Sequence, residues 1–237
     1  MKRQEGLLPQ LAAGDEPYRP IAYDPNCRAC PRLARFLDAV KAEHPSYFCK
    51  PVPPFGDGSA RLLIVGLAPG LHGANATGRP FTGDWCGPLL YGSLHRYGFA
   101  SKAQSLDRND GLELIGCRIS NAVKCLPPQN KPELAEIRRC NTYLAAELRN
   151  SPELRTILAL GAVAHLAVVE ACGLKTRDYK FAHGARHRLP PKTSGASSAL
   201  GLDLFDSYHV SRYNMNTGRL TEAMFHAVLQ RIRSVLD

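Results

Sequence analysis

The chain has 237 residues and a formal net charge of +9, with 44% hydrophobic and 22% charged residues. This composition is typical of a globular protein with a sizeable core and excludes disorder over the whole chain. The sequence has no apolar run long enough for a transmembrane helix and no apolar stretch near the N-terminus, so we expect neither a membrane span nor a secretory signal, but a cytoplasmic protein. The excess of positive charge favours an anionic partner, most often nucleic acid.

The predicted elements alternate between helix and strand. Residues 1–26 are rich in Pro, Gly and charge, which predicts an irregular N-terminal arm, followed by a single domain over residues 27–237. Helical spacing of apolar residues, or a short apolar run typical of a buried strand, predicts each element in that domain. In chain order they are a helix over 32–43, a strand over 61–66, a helix over 88–97, a strand over 117–124, a helix over 132–148, a strand over 156–160, a helix over 162–171, a strand over 202–209 and a helix over 220–236.

The segments between these elements are predicted to be irregular. They are a turn-rich connector over 51–60, a long Gly- and Pro-rich loop over 67–87, a basic segment over 177–191 and a flexible loop over 193–199. The alternation of strands and helices predicts an α/β fold with a parallel sheet. Ligands bind such sheets at the carboxyl ends of the strands, so the loops after positions 65, 122 and 208 indicate where the function lies.

The first of these loops carries the segments 66–70 (GLAPG) and 78–84 (GRPFTGD). Glycines directly after a strand allow a ligand to approach the backbone closely, and Phe81 offers a stacking face. Asp84 is a candidate base at the end of the loop. Neither of the Gly-rich motifs that bind dinucleotides or nucleoside triphosphates occurs here. An alternative stays open, in which Asp84 caps a helix and Phe81 belongs to the core.

The second and third loops carry an asparagine and a histidine at predicted strand ends. Asn121 lies in the segment 120–125 (SNAVKC), and its amide can offer both a donor and an acceptor to a ligand edge. His209 can donate a hydrogen bond to a carbonyl or to developing negative charge. Taken alone, Asn121 is compatible with a turn and His209 with a structural role. Three loops that meet at one crevice favour a functional site.

The eight cysteines are too few for a disulfide scaffold, so we expect free thiols or metal ligands. Cys27 and Cys30 have the two-residue gap that lets both sulfurs bind one metal or cluster. Cys125 follows a predicted strand, and Cys140 lies in the next predicted helix. These four thiolates suit either one tetrahedral zinc ion or one 4Fe–4S cluster, and spacing alone leaves both open. Buried free thiols are the simplest interpretation of the other four cysteines.

The segments GLAPG, GRPFTGD, SNAVKC and HVS…NTGRLT, together with these four cysteines, resemble the iron–sulfur uracil-DNA glycosylases. Leu67 and Ala68 stand where family 4 enzymes carry a Glu-containing segment, so the likeness points to family 5 (type B). It covers roughly residues 25–235. It implies a three-layer α/β/α fold with a central four-stranded parallel sheet and a structural 4Fe–4S cluster on Cys27, Cys30, Cys125 and Cys140.

The resemblance also implies the chemistry of the site. It makes Asp84 the catalytic carboxylate, Phe81 the aromatic that stacks on a base flipped out of DNA, and Asn121 and His209 the polar residues of the second and third motifs. Further base contacts are expected from Gly66, Leu67, Ala68, Pro69 and Gly70. The residues expected to contact the DNA backbone or to fill the vacated stack are Ser211, Arg212, Tyr213 and Met215, with a loop over the last helix as the alternative.

The resulting hypothesis is a monomeric DNA repair glycosylase that hydrolyses the N-glycosidic bond of uracil, and of other deaminated bases such as hypoxanthine, in DNA. Two other interpretations compete with it. One is a cluster-containing DNA-binding protein of the same fold without activity. The other is a zinc-stabilised hydrolase of small nucleotides, which lacks support because the sequence has neither a G-x-S-x-G nor an H-E-x-x-H motif.

Overall fold

A computed structural model of the chain describes residues 23–191 and 201–237. Most of the predicted arm and the predicted loop over 193–199 lie outside these residues. The strands are β1 (Phe55–Gly56), β2 (Leu62–Gly66), β3 (Cys117–Asn121), β4 (Thr156–Leu160), β5 (Arg186–Leu189) and β6 (Leu202–Ser207). The helices are α1 (Pro31–Glu43), α2 (Ala74–Thr77), α3 (Gly87–Arg96), α4 (Leu134–Arg149), α5 (Ala162–Ala171), α6 (Arg212–Asn216) and α7 (Glu222–Leu236).

The strands form one mixed sheet in the order β1-β3-β2-β4-β6-β5. The four inner strands are parallel, and the two outer strands pair antiparallel with their neighbours. The α/β class is therefore confirmed, and the four central parallel strands that were expected carry one further antiparallel strand on each side. The parallel strands all end at the same edge, which brings the chain segments after Gly66, Asn121 and Ser207 together.

Apolar side chains cover both faces of this sheet. Strand β2 is buried along its whole length, as expected for a central parallel strand, and its successive side chains point to opposite faces. Leu62 and Ile64 pack with α3 and α7, whereas Leu63 and Val65 pack with α4 and α5. The molecule thus has a helical layer on each side of the sheet. Among the described residues, no helix is long and apolar enough to cross a bilayer.

Both missed strands lie in segments predicted to be irregular. Strand β1 has two residues and lies inside the 51–60 connector, too short to leave a pattern in the sequence. Strand β5 lies inside the basic 177–191 segment. Its arginines extend towards a buried acid of the adjacent strand: Arg186 Nε lies 2.9 Å from Asp203 Oδ1, and Arg188 Nη1 lies 2.9 Å from Asp203 Oδ2. Pairing with Asp203 explains why a basic segment forms an edge strand.

Two short helices were also missed, and several boundaries differ. Helix α2 interrupts the predicted 67–87 loop, and α6 follows His209. The strand predicted over 117–124 ends at Asn121, and the one over 202–209 ends at Ser207. Because both strands stop earlier than expected, Asn121 is the last residue of its strand and His209 lies beyond the end of β6.

Candidate active site

A cavity of about 450 Å³ opens at the carboxyl edge of the parallel strands. It collects side chains from all three loops singled out in the sequence. The predicted residues that line it are Leu67, Ala68, Gly70, Phe81, Asp84, Asn121, His209, Ser211 and Arg212. The residues that sequence reasoning missed are Ala74, Trp85, Cys86 and Asn130. Asp84, Phe81, Asn121 and His209 therefore face one space.

Phe81 forms an inner wall of this cavity and is only 6% exposed. Its backbone is left-handed, with φ of +53°, which is uncommon for a large residue and turns the ring back towards the sheet. The ring lies 5.9 Å from that of His209, tilted by 32°. A Cβ atom on Gly66 would lie 2.6 Å from the Phe81 ring and 2.4 Å from Asn121 Oδ1, so this strand end needs a glycine.

The loop that carries Phe81 is braced by a buried ion pair from a distant segment. Arg79 is 4% exposed, and its Nη1 donates to Asp110 Oδ1 at 2.8 Å and to Ser105 Oγ at 2.9 Å. Burial acts to raise the pKa of Asp110, but hydrogen bonds from Arg79 and from the backbone outweigh it and lower the pKa to about 2. The hydroxyls of Thr82 and Ser105 are 2.6 Å apart. Residues on both sides of Phe81 are therefore held in place.

Asp84 uses its two carboxylate oxygens differently. Oδ1 accepts the backbone N–H groups of Cys86 at 2.9 Å and Gly87 at 3.1 Å, so the side chain closes the turn that leads into α3, whose N-cap position is Cys86. The other oxygen, Oδ2, faces Gly70 and Gly73 in the cavity loop. Burial raises the pKa of Asp84, and the two backbone hydrogen bonds counteract this in part. A structural role in the turn is thus compatible with a catalytic one, since Oδ1 fixes the carboxylate and Oδ2 stays available.

Asn121 ends β3 with a buried side chain, 4% exposed. Its Oδ1 has no hydrogen-bond partner among the described residues. An unpaired buried carbonyl costs free energy in the folded protein, on the order of 1–3 kcal/mol. Because the residue lines the cavity, a ligand N–H group would supply the missing donor.

His209 follows β6. Asn214 fixes its backbone, because Asn214 Nδ2 donates to the His209 carbonyl oxygen at 2.8 Å. Burial lowers the pKa of His209 to about 4. The imidazole is therefore neutral at physiological pH and carries a single N–H donor. A neutral donor can approach a carbonyl oxygen without repelling a positively charged sugar.

The remaining predicted DNA-contacting residues separate into two groups. Ser211 caps α6 by accepting the Asn214 N–H at 3.3 Å, and it lines the cavity together with Arg212. Tyr213 and Met215 do not line it: Tyr213 is 70% exposed, and Met215 packs half-buried against the apolar core. Gly66 and Pro69 also lie outside the lining. The expectation that residues 66–70 all contact a ligand is thus narrowed to Leu67, Ala68 and Gly70.

The four cysteines of the predicted ligand set line a second cavity, of about 190 Å³. No cysteine forms a disulfide. The Lys124 N–H donates to Cys140 Sγ at 3.3 Å, the kind of contact that stabilises a thiolate. Burial, and then the proximity of Cys140, Cys27 and Cys30, raises the pKa of the Cys125 thiol to about 12. Four thiols that disfavour each other's ionisation therefore share this cavity.

The spacing of these sulfurs can be compared with that of a tetrahedral zinc site. Zinc holds thiolates at about 2.3 Å, which places four tetrahedral sulfurs about 3.8 Å apart. Among the described residues, the one trio of potential ligand atoms within 4.8 Å of one another is His165, His187 and Asp206, and it contains no cysteine. Within the part of the chain that the structure describes, no three cysteine sulfurs therefore lie within 4.8 Å of one another. The other four cysteines lie elsewhere, and Cys86 lines the larger cavity.

Comparison with known proteins agrees with this geometry. Residues 53–233 match the family model described as the uracil DNA glycosylase superfamily, and the chain belongs to that superfamily. Among similar proteins, the type-5 uracil-DNA glycosylase of Thermus thermophilus is 44% identical over 87% of this chain and 92% of its own. The type-5 uracil-DNA glycosylase of Pyrobaculum aerophilum is 40% identical over 87% of both chains. A type-4 uracil-DNA glycosylase of the same organism is 29% identical over 78% of this chain. The likeness to family 5 that the sequence motifs indicated is confirmed.

Proposed function

We propose that this protein removes uracil from DNA by hydrolysing the N-glycosidic bond, which leaves an abasic site. The observation that carries the proposal is the convergence of Asp84, Phe81, Asn121 and His209 on one cavity at the carboxyl edge of the sheet. Membership of the superfamily supports it. An enzyme of this kind acts on DNA, so we expect it to work in the cytoplasm. We also expect a monomer, whose surface is free to bind around the DNA.

The target base must leave the DNA stack to enter the cavity, at a cost of a few kcal/mol. Stacking on Phe81 offsets part of that cost. The unpaired Asn121 Oδ1 accepts an N–H of the base edge, and the cavity walls at Leu67 and Ala68 enclose the ring. Phosphate contacts come from the positive surface, with Arg212 at the rim of the cavity and the exposed Tyr213 beside it on α6.

Cleavage separates charge, and two side chains are placed to stabilise it. As the bond between C1′ and the base nitrogen breaks, its electron pair goes to the base and positive charge develops on the sugar. The Asp84 carboxylate stabilises that cation and takes a proton from the water whose oxygen bonds to C1′. The neutral His209 imidazole donates to the base oxygen, where negative charge accumulates.

We further propose that Cys27, Cys30, Cys125 and Cys140 hold a 4Fe–4S cluster. Support comes from the four thiols that line one cavity and from the Cys27-x-x-Cys30 spacing. The cluster would cross-link the segment before α1 to the loop after β3 and to α4, and no chemical step depends on it. Iron and sulfide analysis of purified protein should show about four of each, with absorbance at about 400 nm. Stoichiometric zinc without iron would refute this assignment.

The proposal is tested with single-turnover cleavage of a uracil-containing oligonucleotide, followed by alkali to break the abasic site. Strand breakage is expected with uracil and not with a matched thymine duplex. Because Ala68 leaves the first motif without an acid, we expect a tolerant cavity that also releases hypoxanthine. A protein that binds the uracil duplex but leaves it intact would disprove the catalytic assignment.

A further inference from the structure

Trp85 is an exposed aromatic residue at the rim of the active-site cavity for which the proposed mechanism has no use. It is the sole tryptophan of the chain, and 47% of its surface is exposed. Exposing this much of an indole to water is unfavourable, and Tyr and Trp in such positions commonly mark a binding surface.

Trp85 forms the boundary between two cavities. On one side lies the cavity with Asp84 and Phe81, and on the other a depression of about 620 Å³. The depression is also lined by Leu89, Met215 and Arg96. Both volumes fall within the range of about 300–1,000 Å³ that is typical of small-molecule sites. A ligand that extends from the first cavity into the depression therefore passes Trp85.

The backbone around Trp85 is fixed in advance. The hydrogen bonds from Cys86 N and Gly87 N to Asp84 Oδ1 close the turn that carries the indole. Little conformational entropy is then lost when a partner packs on the ring. The position of Trp85 is coupled in this way to that of the catalytic carboxylate.

The charges around Trp85 favour an anionic chain. Arg212 at the rim and Arg96 in the depression are both exposed, and neither forms a salt bridge within residues 23–191 and 201–237. The acid among the lining residues, Glu222, lies 3.6 Å from His226. Aromatic faces between cationic side chains are how proteins hold single-stranded nucleic acid without reading its sequence.

We propose that Trp85 stacks on the nucleobase next to the extruded nucleotide, with that neighbouring nucleoside in the depression formed by Leu89, Arg96 and Met215. This inference rests on the proposed function, because it takes the first cavity as the site of the extruded base. It makes Trp85 a positioning residue that holds the DNA strand beside the reaction.

The single tryptophan makes the contact directly observable. The probe is a duplex with a tetrahydrofuran abasic analogue, which leaves no base to enter the first cavity. We expect this duplex to quench the tryptophan emission, and we expect Trp85→Ala to weaken its binding about fivefold or more, the lower bound for losing one base–aromatic stack. Trp85→Phe, which keeps an aromatic face, should retain most of the affinity. Leu166→Ala, which removes an exposed apolar side chain outside both cavities, is the matched control.

The outcomes separate this inference from the function on which it rests. Binding of the labelled duplex by anisotropy without quenching, or equal affinity of Trp85→Ala and wild type, would overturn the stacking role while uracil release continues. Quenching by free uracil but not by the abasic duplex would place the indole against the extruded base, which also overturns it. A wild-type protein that neither releases uracil nor binds the duplex would overturn the function and this inference together.

Discussion

Two histidines, His209 in the active-site cavity and His165 in α5, are treated in opposite ways by the fold. Both ring nitrogens of His165 are bonded: Nδ1 lies 2.7 Å from Asp206 Oδ1, and Nε2 lies 2.9 Å from the Tyr179 carbonyl oxygen. Burial alone would lower the pKa of His165, but these hydrogen bonds outweigh it and raise the pKa. For His209, by contrast, burial acts alone and lowers the pKa to about 4.

The difference shows how the molecule separates support from chemistry. In the His165 cluster the polar side chains are hydrogen-bonded to one another or to the backbone. His187 Nε2 adds a contact of 3.2 Å to Asp206 Oδ2. The Tyr179 carbonyl oxygen only accepts hydrogen bonds, so His165 Nε2 donates to it, while Asp206 occupies Nδ1. In the cavity, Asn121 Oδ1 is left without a partner in the described part of the chain. A polar group without a hydrogen-bond partner marks the place where a substrate can supply the missing hydrogen bond.

The sharpest test of this contrast replaces the cavity acid. Asp84→Asn should lower the single-turnover cleavage rate by about 100- to 10,000-fold, because the amide cannot take a proton or stabilise a cation. DNA affinity and melting temperature should change little, since the Asn oxygen can still accept the Cys86 and Gly87 N–H groups. Quench-flow rates, binding isotherms and thermal unfolding would check each part. An unchanged rate would remove Asp84 from the mechanism.

The equivalent change in the supporting cluster should have the reverse effect. Asp206→Asn removes the carboxylate that His165 Nδ1 and His187 Nε2 both contact, and removing one partner of a buried pair costs about 3–5 kcal/mol. We expect a large drop in the unfolding free energy in urea, with cleavage at low temperature retained by the molecules that remain folded. If stability held and cleavage disappeared, the cluster would belong to the chemistry.

A smaller effect is expected at Asn121. Asn121→Ala removes one hydrogen bond to the base, which should slow cleavage about tenfold. It also removes an unpaired buried oxygen, so the free energy of unfolding should fall by less than about 1 kcal/mol. Parallel measurement of cleavage and chemical unfolding decides the matter, and a large loss of stability would show that Asn121 serves the fold.

The pH dependence should differ between the two histidines. Because the pKa of His209 is about 4, the cleavage rate should show no histidine inflection near pH 6.5, only an acid limb from Asp84 that begins above the pKa of an ordinary aspartate. The raised pKa of His165 stabilises the fold fully below the unfolded-state pKa, about 6.5, and this contribution is lost as pH rises through the higher folded-state value. Cleavage rates and melting temperatures measured from about pH 4 to pH 8 would show whether the two histidines differ in this way. A rate inflection near pH 6.5 would contradict the role of His209 as a neutral donor.

The sequence predicted the inner sheet and the meeting of three loops because both follow from patterns within short segments of the chain. Runs such as β2 are buried on both faces and read as continuous apolar segments, and parallel strands must end at one edge. The brace between Arg79 and Asp110 joins residues 31 positions apart, with no pattern to indicate it. Trp85 and Asn130 lie outside regular periodicity, so composition alone could not assign them to the cavity. The edge strand β5 depends on a tertiary partner, Asp203, and not on its own propensity.

The packing of the glycines around Asp84 sets how the loop can change over evolutionary time. A Cβ atom at position 73 would lie 2.6 Å from Asp84 Oδ2, whereas one at position 70 would lie at an ordinary 3.8 Å. Replacement of glycine by alanine is therefore tolerated at position 70. At position 73 the added methyl group would displace the Asp84 carboxylate. Two glycines of the same loop thus tolerate substitution very differently, because only Gly73 packs directly against Asp84 Oδ2.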